Sequence, residues 1–203
     1  GIVWSDLLLH LPGLMPRVSR ASYEPSVLVR ENLQPPPRVG DGRTMISPQL
    51  LAKFQQHSLP DPHDMLLLLQ AGLFNNLNLL HDVPKVDGFF SLGLREQQAI
   101  EHQLFLAPES SQSGLRDFLS IRQVFSFSKD FHWLPRPSAM PWVSAGQRVV
   151  WADDTVSLPS LLTTNFNPTV LVYVSPDARA RGIGNLAEVP ARILSRSFGA
   201  HRV

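Results

Sequence analysis

The sequence predicts an α+β fold: a mixed sheet flanked by short helices, with a β-rich, sandwich-like unit beginning near the C-terminus. Three observations lead there. Hydrophobic residues make up 43% of 203 positions, enough to bury a core. The 18 prolines cut the chain into many short elements. Stretches with helical spacing lie mostly in the first two thirds of the chain, and β-branched runs cluster after residue 120.

Taken in order, Ile2-Val3-Trp4 reads as a strand, and Ser5 or Asp6 as the cap of a turn over Leu7–Leu9 that Pro12 and Pro16 stop. Ser26 is placed to cap a helix through Leu33, which Pro35-Pro36-Pro37 end. "PPPRVGDG" reads as an extended entry into a short strand and a turn. Pro48 near a helix start, with Leu50, Leu51 and Phe54 following, predicts a helix over 47–57. Asp64 is the expected cap of "MLLLLQAGLFNNLNLL", and Gly72 its break. In "KVDGFFSLGL", Asp87-Gly88 is the strongest local turn signal, and Phe89 and Phe90 are expected to pack the next helix onto the core.

Leu94, Ala99, Ile100, Leu104 and Phe105 mark one buried face of a helix. "SGLRDFLSIRQVFSF" predicts a short helix entering a strand at Ile121–Phe127. "GQRVVWADD" and Val170–Val174 predict two more strands, and "AEVPARILSRSFGAHRV" a hairpin. Two units are expected, an α+β domain over 1–168 and the start of a β-rich domain over 169–203.

Composition narrows the function classes. A net charge of +1 supplies no global field for nucleic acid or an acidic membrane surface. With no cysteine there is no disulfide, thiolate zinc site or cysteine nucleophile. No segment approaches the roughly 20 apolar residues of a membrane-spanning helix, and the first residues lack a signal-peptide layout.

Candidate chemistry is sparse. "GIGNLA" at 182–187 matches a dinucleotide fingerprint, but Pro190 denies it the helix that the motif needs. Asp153-Asp154 sit where a helix cap is expected. Glu96, Glu101 and His102 fall on a solvated helix face without metal-ligand spacing, and His57 and His63 flank a loop. No G-x-S-x-G occurs. No catalytic residue, metal ligand or cofactor is therefore assigned. The binding candidates are Trp133, Arg136 and Trp142 in "DFHWLPRPSAMPW", where indole faces beside an Arg can stack on sugar rings, and Arg95 on the helix after the Asp87-Gly88 turn. The competing expectation is that both indoles are core.

Four segments in order, 4–39, 73–97, 115–127 and 134–174, resemble the large extracytoplasmic region of the YfhO family of bacterial membrane proteins. The matching features are a D-L motif leading to a Pro-Arg-Val strand, an Asn-containing segment before a Gly-aromatic turn, "LRDFLSIRQVFSF", and a Pro-Arg strand leading to an F-x-P turn. Gln123 departs from the pattern, standing where the family has an aromatic residue. The family also continues past a hairpin like the final one, so the resemblance implies a chain cut inside its β-rich part.

The resemblance further implies a non-catalytic part of a membrane glycosyltransferase that decorates envelope polymers from a polyprenyl-phosphate-sugar donor. This domain would position an acceptor or brace the membrane part. Its partners would be the membrane-embedded part of the same protein and an envelope glycopolymer, at the extracytoplasmic face of the cell membrane. The alternatives are a free carbohydrate-binding or scaffold protein, and a soluble hydrolase using Asp153 or Glu96.

Overall fold

In the computed structural model, residues 4–5, 19–56, 59–88, 94–106, 111–128, 130–180 and 193 are described. They form an α+β fold with a mixed sheet. Three strands, β1 (Arg43–Ile46), β2 (Ile121–Phe127) and β3 (Phe131–Pro135), lie side by side in that order. β1 runs parallel to β2 and β3 antiparallel to it, with Phe125 opposite Trp133. On the far edge of β1, Thr44 bridges Lys85 in parallel, so residues 84–86 extend the sheet by one short rung. A second, parallel sheet pairs β4 (Arg148–Trp151) with β5 (Leu171–Val174).

The helices are α1 (Val27–Asn32), α2 (Pro48–Gln56), α3 (Pro62–Ala71), α4 (Arg95–Leu106), α5 (Ser113–Phe118), α6 (Asp154–Leu161) and α7 (Asp177–Ala180). Among the described residues, 3-10 turns lie before α1 at Arg20–Tyr23 and after α3 at Leu77–His81. α1 begins where expected because the Ser26 hydroxyl accepts the Leu28 N–H at 3.2 Å. α2 begins at Pro48, whose fixed φ suits a first helical turn and whose missing N–H costs nothing there.

The cap of α3 is Asp61 and not Asp64. Pro62 supplies the first helical residue, and the Asp61 carboxylate accepts the His63 N–H at 2.7 Å, leaving Asp64 inside the first turn. Gly72 closes that helix as expected. The strand foreseen at Pro37-Arg38-Val39 lies instead at Arg43–Ile46. Prolines cannot donate to a sheet ladder, and a turn with Gly40 at φ 91° intervenes. Trp4 and Ser5 have helical backbone where a strand through Trp4 was foreseen, and Ile2 and Val3 lie outside the described residues.

Two apolar clusters cover the sheet faces. One gathers Val29, Leu33, Ile46, Leu50, Phe54, Leu73, Val83, Phe125 and Trp133. The other gathers Met45, Leu104, Leu115, Ile121, Val124, Leu161 and Phe166, with Leu171 and Tyr173 packed against it. Met45 and Val124 feed the second cluster and their neighbours Ile46 and Phe125 the first, as the period of a strand dictates; Ile121, before the register shift in the β1–β2 pairing, joins the second. The second cluster also holds the residues flanking the expected boundary at 168/169, and β4 pairs with β5 across that boundary.

Candidate functional site

Trp133 is 8% exposed. Its ring lies 4.9 Å from that of Phe125, its cross-strand partner. Of the two expectations for this indole, a binding face or a core residue, the core is the one met, because β3 turns its Trp133 face toward α2 and α3. Phe131, on the same strand, stacks on Phe125 at 5.9 Å and remains 41% exposed. Trp142 is half-buried, with the Arg43 guanidinium 4.3 Å above its ring. A cation on an indole face holds it by charge–quadrupole attraction and occupies the surface on which a sugar ring would stack.

Arg136 is engaged too. Its guanidinium donates to the Asp117 carboxylate at 2.6 Å and to the Ser113 carbonyl at 3.3 Å. Ser138 donates to the same Asp117 oxygen, and the Met140 N–H to the Asp117 carbonyl. These bonds tie the end of β3 to α5. Arg95 stands apart, 86% exposed on the first turn of α4, paired with Glu96 at 3.1 Å and 3.9 Å from Asp154. Of the four binding candidates, Trp133 and Arg136 share β3 and its extension, and Arg95 faces α6.

Glu96 and Asp153 take structural roles. The Glu96 carboxyl is held below its ordinary range by backbone hydrogen bonding and then by Arg95. Asp153 caps α6, accepting from the Thr155 hydroxyl at 2.5 Å and from the Thr155 and Val156 N–H groups. Those bonds, the Thr155 hydroxyl first, lower its proton affinity. Among the described residues no three acidic or histidine side chains gather as a metal site, and no helix is long and apolar enough to cross a membrane. The 182–187 segment, His57, Phe89, Phe90 and the hairpin residues other than Ile193 lie outside the described residues; Ile193 is 39% exposed.

Two features escaped the sequence reading. At Asp87-Gly88, where a turn was expected, neither residue has turn or bend geometry, and the distinctive element is an ion pair: Lys85 and Asp87 meet at 2.6 Å with side chains 1% and 12% exposed. The glycines at positive φ among the described residues are Gly40 and Gly146. The second feature is Gln123, which is buried and donates to the Pro35 carbonyl at 2.6 Å. The amide anchors the proline loop to the central strand, a task that an aromatic side chain at this position does not perform. Neither role has a local sequence signal, since each depends on a partner remote in sequence or on burial.

No family model, curated protein or solved structure matches this chain.

Proposed function

We propose that this chain is the non-catalytic extracytoplasmic part of a YfhO-like polytopic membrane protein, a brace in the glycosylation of cell-envelope polymers from a polyprenyl-phosphate-sugar donor. One observation carries the reading: the segments that resemble the family meet in the core. Val29 and Leu33 of the first segment, Leu73 and Val83 of the second and Phe125 of the third share one apolar cluster. Leu115 and Ile121 of the third share the other with Leu161 and Phe166 of the fourth. A sequence pattern kept by core contacts is a signature of fold, which is what a resemblance across a whole domain would reflect.

A brace is favoured over an acceptor surface at Trp133, Arg136 and Trp142 by their contacts. One indole is core, the other lies under Arg43, and Arg136 binds Asp117. Two measurements test the proposal. Sequencing the flanks of the reading frame should reveal apolar segments of about 20 residues, and none on either side would sink the membrane assignment. Titration with envelope glycopolymer fragments should give no change in tryptophan fluorescence that depends on Arg136. A saturable change lost in Arg136→Gln would replace the brace with a binder.

A further inference from the structure

Between α1 and the 3-10 turn at Leu77–His81 lies a cavity of about 440 Å³, within the size range of small-molecule sites. Its floor is apolar, made by Val29, Leu33 and Val83, each nearly inaccessible to solvent. The polar residues on its wall are Arg30, Gln34, His81 and Asp82. We propose that this cavity binds the ring of a neutral sugar, with Arg30 and Asp82 hydrogen-bonding its hydroxyls and the floor receiving its C–H face.

The charge balance selects the ligand class. One guanidinium and one carboxylate cancel, so a phosphate or carboxylate drawn to Arg30 would also meet the like charge of Asp82. A neutral polyol meets no such conflict, because each hydroxyl both donates and accepts. Arg30 offers donors, of which one bond is made, to the Pro25 carbonyl at 3.4 Å. Asp82 offers acceptors, and its carboxylate makes no hydrogen bond or ion pair among the described residues.

The His81 Nε2 is buried without a hydrogen-bond partner among the described residues and, being closed to solvent, presents no hydrogen bond to a ligand in the cavity. Burial, and then the charge of Arg30, lowers the proton affinity of this imidazole. Asp82 next to it is held at φ 52°, ψ 33°. Asp, like Asn, adopts that region at little cost.

The binding claim concerns the cavity alone and holds whether or not the chain belongs to a membrane protein. The test uses the isotopically labelled 203-residue chain, titrated with methyl glycosides of glucose, galactose, mannose and N-acetylglucosamine, and separately with inorganic phosphate. The Val83 amide and the His81 ring protons are followed by NMR. At least one glycoside should shift both sets saturably, with Kd on the order of 1 mM. Asp82→Asn and Arg30→Gln should each weaken that binding about tenfold. Asn tolerates the left-handed region, and an unchanged amide spectrum elsewhere verifies each fold. The proposal is overturned if no glycoside produces a saturable shift by about 50 mM, if phosphate alone produces one, or if binding survives both substitutions.

Discussion

Lys85 and Asp87 are two residues apart on a short extended rung, so their side chains share one face. The rung is built by alternation along β1. Arg43 and Ser47 donate their N–H groups toward β2, while the Thr44 N–H donates to the Pro84 carbonyl at 2.8 Å and Thr44 accepts from Val86 at 3.0 Å. The Ile46 backbone favours the charged form of the Asp87 carboxylate. Lys85 closes the set by pairing with Asp87 and donating to the Asn75 carbonyl at 3.4 Å. Removing one member of such a buried pair strands the other charge, whereas replacing both by apolar residues is often neutral. Asp87→Ala should therefore destabilise by roughly 3–5 kcal/mol, and Lys85→Met with Asp87→Leu by far less. Urea unfolding of the three proteins checks this, and equal losses in both variants would deny the pairing.

The same residue sets a pH dependence. Burial raises the Asp87 pKa, and attraction to Lys85 only partly offsets it. The folded chain then binds this proton more readily than the unfolded chain. Its contribution is complete below the ordinary carboxylate range and is lost as pH rises through the raised midpoint. Asp153, whose pKa is lowered, acts in the opposite sense, stabilising above the ordinary range and losing that contribution as pH falls. Between about pH 4 and 7, Asp87→Asn should make the slope of stability against pH more positive than in the wild type. An unchanged slope would mean that Asp87 titrates normally.

Helices with an apolar face and a local cap were legible element by element. α2, α4 and α5 lie where spacing places them, and β2 spans the foreseen Ile121–Phe127. Each of those signals is contained within a dozen residues. β1 was not legible because "RTMI" is buried on both faces and shows no alternation. β3 carries no strand signal of its own, since "FHWLP" is a strand only by pairing with β2 and ends in a proline. The burial of Trp133 follows from that pairing, so the binding candidates were legible as aromatics but not as core. The cavity by α1 was hidden for the same reason, its walls coming from segments far apart in sequence.

Packing between elements also singles out a glycine that no turn signal marked. A Cβ on Gly114, in α5, would stand 2.0 Å from the Phe166 carbonyl oxygen. Alanine ordinarily stabilises a helix by about 1 kcal/mol over glycine. Here the neighbour is backbone, which can yield only by moving α5 or the 163–167 segment. Gly114→Ala should therefore lower stability, by about 1–3 kcal/mol. A variant as stable as the wild type in thermal unfolding would show that the two segments separate at little cost.

At the scale of the whole molecule the question is whether the chain divides at 168/169. The two sheets do not pair with each other, yet they share a core: Phe166, Leu171 and Tyr173 pack with Leu115, Ile121 and Val124 of the first sheet's layer. Phe166 contacts Phe118 edge-on at 6.0 Å and Tyr173 at 6.1 Å, linking α5 to β5 through one ring. Ending the chain at residue 168 would strip β4 of its ladder partner and uncover that part of the cluster. The loss of Leu171 and Tyr173 from partly buried positions should cost roughly 2–5 kcal/mol. The shortened chain should therefore unfold at lower urea than the full one, with Trp151 on β4 reporting the change by fluorescence. A 1–168 chain that keeps the full midpoint would establish β5 as part of an independent unit. A lower midpoint, reached in one transition by every tryptophan, would make residues 43–174 a single cooperative body, with the second sheet held by the apolar layer under β2.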